Sequence, residues 1–161
     1  MRSFVAVALA AVALAALAAP ALAGAGSITD CGAGKAKASF STLTITPDPP
    51  VKGSLTQLNA TGTISEAATG GKYSIAVSLD KAQLYTHSGN VCGTDKINLP
   101  LGFGTITYVG PTCPTTSGGA FKIGISLVLP SAAPSGNYDV KITGADSGGA
   151  DMYCIDAAFP L

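Results

Sequence analysis

The chain has 161 residues, nine basic and nine acidic side chains, and one histidine. Charged residues make up only 11% of the chain, whereas 47% of its residues are hydrophobic. Nucleic-acid binding needs a clustered basic surface that usually contains arginine. Because Arg2 is the only arginine, this composition argues against a nucleic-acid-binding protein.

Residues 1–23 have the features of a secretory signal peptide. Arg2 precedes a long apolar run that ends in the small residues 21–23, and these fit a cleavage site. A membrane anchor is the alternative, because the apolar stretch is almost long enough to span a bilayer. The small residues favour removal, so we expect a mature domain at residues 24–161, a size that suits a single core.

Beyond the leader, apolar and polar residues alternate with the period of β-strands. In chain order, the candidate strands are residues 40–46, 55–64, 73–79, 81–85, 105–109, 121–129, 138–142 and 152–159. No window has convincing helical periodicity, and segments rich in Gly, Pro, Ser and Asn separate the runs. The sequence therefore predicts an all-β domain, either a sandwich or a barrel.

Two intervals depart from regular strands. Residues 44–53, TITPDPPVKG, contain three prolines, which donate no ladder hydrogen bond, so strand pairing should stop there, with Gly53 permitting the turn back. Residues 92–113 form a long interval, apolar in its middle and rich in glycine. We expect a loop with a short strand there rather than a tight hairpin.

The chain offers few groups for chemistry. His87 lies in YTHSGN, a pattern that predicts the exit of a strand into an exposed turn. A pairing of His87 with a serine and a carboxylate is the alternative, but no G-x-S-x-G, H-E-x-x-H or paired-carboxylate motif is present. We therefore expect no enzyme, no catalytic residue and no cofactor.

Four cysteines follow the leader: Cys31, Cys92, Cys113 and Cys154. An even number in a secreted chain predicts two disulfides. Metal binding is disfavoured, because no two of these cysteines are close in sequence. The cysteines allow three pairings, and their spacing alone does not choose among them.

Asn59 begins the one N-x-[ST] sequon after the leader, and we expect it to be glycosylated if it faces solvent. The strand alternation of residues 58–60 allows that orientation.

Six short motifs occur in an order that resembles the ML family. These MD-2-related lipid-recognition domains include the Niemann-Pick type C2 proteins, fungal phosphatidylglycerol/phosphatidylinositol transfer proteins and mite group 2 allergens. The matching motifs are DCG at 30–32, TPDPPVKG and LTQLNATG at 46–62, VC at 91–92, CP at 113–114 followed by Gly118, LPSAAPSGNYDVKI at 129–142 and YCIDAAFPL at 153–161.

The resemblance implies an immunoglobulin-like β-sandwich of two antiparallel sheets with an apolar cavity between them. It also implies nested disulfides, Cys31 with Cys154 and Cys92 with Cys113, the second near the cavity mouth. The chain lacks the additional short-range disulfide of several animal members, and its 92–113 interval is longer than their usual loop. This second departure bears on the shape of the cavity mouth.

On this basis we expect a secreted, monomeric lipid-binding and transfer protein with no cofactor beyond its lipid. Its partners would be the lipid and a membrane or membrane-protein acceptor, outside the cell or in an endosome, lysosome or vacuole. The absence of arginine after the leader removes a bidentate phosphate clamp, which favours sterol transport over phosphatidylglycerol or phosphatidylinositol transfer, although lysines such as Lys122 could serve. A different class, an adhesion or innate-recognition sandwich with a packed interior, is the remaining alternative.

The predicted cavity residues are the inward positions of the strands and, at the mouth, three residues of the 92–113 interval. The strand positions are Ile75, Val77, Phe121, Ile123, Ile125, Leu127 and Val140. The mouth positions are Leu101, Phe103 and Tyr108.

Overall fold

The computed structural model describes residues 25–100 and 104–161. These residues form ten strands and no α-helix. The strands are β1 (Ser27–Asp30), β2 (Ala38–Thr46), β3 (Leu55–Ile64), β4 (Gly71–Leu79), β5 (Ala82–Asn90), β6 (Thr94–Asn98), β7 (Thr105–Val109), β8 (Ala120–Val128), β9 (Asn137–Asp146) and β10 (Asp151–Pro160).

Two five-stranded antiparallel sheets make up the sandwich. Sheet A has the strand order β1-β10-β9-β4-β5, and sheet B has the order β2-β3-β8-β7-β6. The predicted all-β sandwich is thereby confirmed. Alternation decides which side chains point inward, because successive residues of a strand face opposite sides of the sheet.

The structure differs from the predicted strands in three places. Strands β1 and β6 lie at sheet edges, and their sequences, SITD and TDKIN, contain one apolar residue each, so no alternation is visible. Strand β5 is longer than predicted and runs through His87 to Asn90. The interval between Cys92 and Cys113 contains a hairpin of two strands, β6 and β7, instead of a loop with one strand.

The proline-rich segment ends β2 as expected. Strand β2 stops at Thr46, and pairing resumes at Leu55 in β3. Between them Gly53 has φ 78°, a conformation that favours glycine. Its N–H donates to the carbonyl of Leu129 at 2.8 Å, so this connection is anchored to the segment that follows β8.

Both disulfides pair as the resemblance implies. Cys31, which follows β1, is bonded to Cys154 in β10, 123 positions further along the chain. Cys92, between β5 and β6, is bonded to Cys113, which follows β7. In the loop-closure model, such bonds stabilise a fold by about 3 to 5 kcal/mol each, more for the longer loop.

Three of the expectations concern residues outside the described part of the chain: the signal peptide at 1–23 and the mouth residues Leu101 and Phe103. Within residues 25–100 and 104–161, no helix is long and apolar enough to cross a membrane.

Candidate functional site

The candidate site is the space between the two sheets, which apolar side chains line from both sides. In sheet A, Ile75 of β4 pairs with Ile142 of β9, and Val77 pairs with Val140 one inward step further along. In sheet B, the inward residues of β8 include Leu127. In each sheet, inward side chains of neighbouring strands therefore lie side by side and form rows across the sheet.

Aromatic rings fill one end of this space. We call Tyr73, Tyr108, Phe121 and Tyr153 the closed end; each is at most 1% exposed. Tyr73 stacks on Tyr108 across the two sheets with ring centroids 3.9 Å apart. Phe121 packs against Tyr153 at 5.7 Å. This end is packed as a protein core.

The buried phenol groups of the closed end satisfy each other. Tyr108 donates its O–H to the carbonyl of Val91 at 2.9 Å, and Tyr153 then donates to the Tyr108 oxygen at 2.8 Å. Burial raises the pKa of both phenols above the ordinary value of about 10. These hydroxyls therefore stay neutral at physiological pH and offer nothing to a ligand.

Two polar links join the sheets beside the closed end. Tyr73 donates to Asp95 Oδ2 at 2.6 Å, and His87 Nε2 lies 3.2 Å from the same oxygen. These contacts, the tyrosine bond first, hold the pKa of Asp95 below its ordinary value. Elsewhere, Lys37 Nζ lies 2.6 Å from Asp146 Oδ2, and this bond raises the pKa of Lys37.

The prediction of an exposed turn at His87 was wrong. His87 lies within β5 with a partly buried side chain. Gly89, the glycine that suggested a turn, is required for a steric reason instead. A Cβ at this position would come within 2.7 Å of the Tyr73 ring and 2.6 Å of the Asp95 carboxylate. Gly89 therefore makes room within a strand for an aromatic ring from β4.

Toward the other end of the space, four inward side chains are only half-buried. We call Val77, Leu79, Leu127 and Val140 the open end. The fully buried residues form two separate clusters, one with the closed end and a smaller one of Ile45, Tyr138 and Phe159. Val77 and Val140 pack against both clusters without being fully buried themselves.

The partial exposure of Val77 and Val140 is notable because of the strands on which they lie. Strands β4 and β9 lie in the interior of sheet A, each hydrogen-bonded on both sides. Inward aliphatic side chains of sheet A therefore reach solvent at this level, beside the β4–β5 turn at Asp80 and Lys81. We call this part of the inter-sheet space the cleft.

A depression with a volume of about 700 Å³ lies on the outside of sheet B. Its lining mixes polar side chains, including Gln57, Asn59 and Lys122, with glycine, proline and aliphatic residues. Asn59 is exposed there, so the condition set for its glycosylation is met.

A sequence model of one family, described as the ML domain, matches residues 25–161. The chain belongs to the ML-domain family. The match covers both sheets and all four cysteines, so the whole described sandwich is one ML domain.

One curated relative is the phosphatidylglycerol/phosphatidylinositol transfer protein of Mycosarcoma maydis. It is 27% identical over 130 residues, which are 80% of this chain and 62% of that protein. The chain therefore spans less than two thirds of this relative's length.

Two solved structures share the fold of this ML domain. A Niemann-Pick type C2 protein from the Japanese carpenter ant aligns with a TM-score of 0.59 at 13% identity, covering 83% of this chain and 98% of that one. Chicken MD-1, solved in complex with lipid IVa, aligns with a TM-score of 0.54 at 12% identity, covering 84% and 88%. At these identities the likeness is one of architecture.

Of the ten predicted cavity residues, the eight that the structure describes all lie in the interior of this ML domain, but they differ in how deeply they are buried. Fully buried are Ile75, Tyr108, Phe121, Ile123 and Ile125. Half-buried at the open end are Val77, Leu127 and Val140. The alternation of apolar and polar residues predicted that these side chains point inward, but it gave no information on how deeply each is buried.

The expected mouth position of Tyr108 needs correction. Its ring is 0% exposed and stacked at the closed end. The Cys92–Cys113 disulfide lies at that same end, where Tyr108 bonds to the carbonyl of Val91. Because β6 and β7 form a hairpin, the residues near the disulfide and those at the hairpin tip lie at opposite ends of the strands.

One inward polar residue was missed by the sequence reasoning. Thr56 of β3 is buried and pairs with Leu127 of β8. Alternation with Leu58 and Ala60, both buried, would have placed it inside the sandwich, but a threonine in a strand attracts little notice because its β-propensity is high.

Proposed function

We propose that this ML domain binds the apolar part of a lipid in the cleft at its open end and carries the lipid through water between membranes. The half-buried state of Val77 and Val140, inward residues of interior strands, is the observation that carries the proposal. In a packed adhesion module these positions would be as fully buried as Ile75 and Ile142.

The driving force is the transfer of hydrocarbon out of water. Each methylene contributes about 0.8 kcal/mol, so an acyl chain burying roughly ten of them gains on the order of 8 kcal/mol before the costs of binding. The open-end side chains are all aliphatic and suit such a chain. Lys81 on the β4–β5 turn is exposed beside the cleft and supplies a positive charge for an anionic headgroup.

The first candidate ligand is an anionic glycerophospholipid. Its support is the name of the relative from Mycosarcoma maydis, a phosphatidylglycerol/phosphatidylinositol transfer protein. Sterol is the second candidate, favoured by the absence of arginine after residue 2, which leaves no bidentate clamp for a phosphate.

The proposed compartment is the secretory pathway, with delivery outside the cell or to a lysosome or vacuole. Two disulfides support an oxidising environment. The features of a signal peptide in residues 1–23 support the same route. The proposed acceptor is a membrane or a membrane protein.

A vesicle assay tests the proposal. Donor vesicles carry pyrene-labelled phosphatidylglycerol, and its arrival in unlabelled acceptor vesicles is followed by the loss of excimer fluorescence. The protein is expected to accelerate this transfer. Val140→Phe, which fills the cleft, should slow it about tenfold by displacing roughly two methylenes of the lipid.

The matched control is Thr86→Phe, which adds the same ring at an exposed position of β5 and should transfer lipid like the unchanged protein. Equal transfer by both variants would rule out a site between the sheets. A parallel assay with dehydroergosterol separates the two ligand candidates. Failure to accelerate either lipid would contradict the proposed function itself.

A further inference from the structure

Thr56 carries a buried hydroxyl without a hydrogen-bond partner. The residue is only 6% exposed, and its Oγ1 atom has no hydrogen-bond partner among the residues that the structure describes. A buried polar group left unpaired destabilises a fold by about 1 to 3 kcal/mol. Valine has nearly the same shape and would fill the position without that penalty.

The other buried polar residue among those described, Thr115, behaves in the usual way. Its Oγ1 accepts the N–H of Ala68 at 2.8 Å and lies 3.5 Å from the Ala68 carbonyl. The contrast indicates that this fold can satisfy a buried threonine, whereas none of the described residues satisfies Thr56.

Thr56 belongs to the interior of the sandwich near the open end. It lies on the same side of β3 as the buried Leu58, two residues further along. Across the ladder it pairs with Leu127 of β8, which is one of the four half-buried residues at the open end. The Oγ1 atom is closed to solvent, so a lipid beside Leu127 would reach this hydroxyl by moving the side chains that cover it.

We propose that Thr56 Oγ1 hydrogen-bonds an uncharged oxygen of the bound lipid, either an ester carbonyl or a hydroxyl. The inference rests on the proposed function. A single hydroxyl supplies one donor and two lone pairs, which suit a neutral oxygen. It does not supply the charge needed to bring a phosphate out of water, so the phosphate of a phospholipid would stay outside while an oxygen closer to its tails bonds to Thr56.

Three fluorescent probes test this bond, and they differ in their oxygen atoms. Diphenylhexatriene is a hydrocarbon without oxygen, dehydroergosterol has one hydroxyl, and pyrene-labelled phosphatidylglycerol has ester carbonyls. Thr56→Val removes the hydroxyl and keeps the shape. We expect it to bind diphenylhexatriene as the unchanged protein does, and at least one oxygen-bearing probe about five- to tenfold more weakly, which is the effect of one hydrogen bond.

Two further variants complete the experiment. Thr56→Ser keeps the hydroxyl and should retain the affinity for the oxygen-bearing probe. Thr63→Val makes the same chemical change at an exposed position of β3 and should alter nothing. The probe that loses affinity narrows the choice of ligand oxygen: dehydroergosterol indicates a hydroxyl, and the phospholipid indicates an ester carbonyl or a hydroxyl of its headgroup glycerol.

Thermal unfolding without ligand provides an independent readout. Thr56→Val should melt at the same temperature or higher, since it removes an unpaired group. Unchanged affinity of Thr56→Val for both oxygen-bearing probes, or an equal loss for all three probes, would overturn the bond while leaving the proposed function intact. Failure of the unchanged protein to bind any probe would overturn both.

Discussion

The closed and open ends of the inter-sheet space are built from the same strands in different ways. Strand β4 begins with Tyr73 and Ile75, each 1% exposed, and continues with the half-buried Val77 and Leu79. At the closed end, rings from both sheets meet and their hydroxyls pair. At the open end, the inward side chains named above are aliphatic and only half-buried.

This difference separates stability from binding. The closed end brings together buried rings, hydrogen bonds between the sheets and the Cys92–Cys113 disulfide. The half-buried side chains of the open end contribute less to packing, so under the proposed function a lipid would bind there with little loss to the fold. Functional sites commonly occupy the less stable part of a protein.

The largest effect is expected from truncation of a ring at the closed end. Phe121→Ala should lower the free energy of unfolding by about 3 to 5 kcal/mol, because it leaves a cavity in a packed core. Leu127→Ala, on the same strand at the open end, should cost less than about 2 kcal/mol. Urea denaturation measures both; equal losses would contradict the division into two ends.

Alkaline pH should lower the stability of the protein through the buried tyrosines of the closed end. Burial raises the pKa of Tyr73, Tyr108 and Tyr153 in the folded protein. Below about pH 10 their contribution is fully present; above it the unfolded chain loses protons that the folded one keeps. Stability should then fall by about 1.4 kcal/mol per pH unit for each tyrosine.

Absorbance at the phenolate band, recorded while pH is raised, measures this effect directly. We expect these tyrosines to ionise together with unfolding, in one cooperative step. Gradual ionisation of all tyrosines near pH 10 in a chain that remains folded would mean that water reaches the closed end.

Added volume should distinguish the two ends along β9. Ile142→Phe places a ring where the space is already filled and should cost about 1 to 3 kcal/mol. Val140→Phe, two residues earlier on the same face, should cost less than about 1 kcal/mol because the cleft accommodates the ring. Thermal unfolding compares the pair, and a larger loss for Val140→Phe would contradict the cleft.

The smallest effect concerns the link between sheets at Asp95. Asp95→Asn weakens the bonds to Tyr73 and His87 and should cost about 1 kcal/mol at neutral pH. Since the pKa of Asp95 is lowered in the folded state, its contribution is present above the ordinary pKa near 4 and is lost as the pH falls through the folded value.

Denaturation at neutral and acidic pH checks this prediction. The difference between the unchanged protein and Asp95→Asn should shrink below about pH 4, where the protonated carboxyl resembles the amide. A constant difference across this range would assign the effect to packing instead of charge.

Much of the fold follows from local patterns. Alternation located eight of the ten strands and the inward direction of residues such as Val77 and Ile125, and the prolines marked the end of β2. The order of short motifs indicated the ML family and, through it, the disulfide pairing. The strand and proline signals each lie in a short stretch of chain, and the family signal lies in the order of such stretches, so the sequence alone determined them. The spacing of the cysteines by itself did not determine their pairing.

Depth and partnership were decided only by the tertiary structure. Ile75 and Val77 are both inward positions of the same alternating run, yet Ile75 is fully buried and Val77 is only half-buried. The sequence predicted a turn at His87 because of Gly89, but this glycine accommodates a ring from another strand. The hydroxyl of Thr56 can be recognised as unpaired only when the residues around it are known. Alternation is a property of one strand, whereas the distance between sheets depends on side chains from both, which are far apart in sequence.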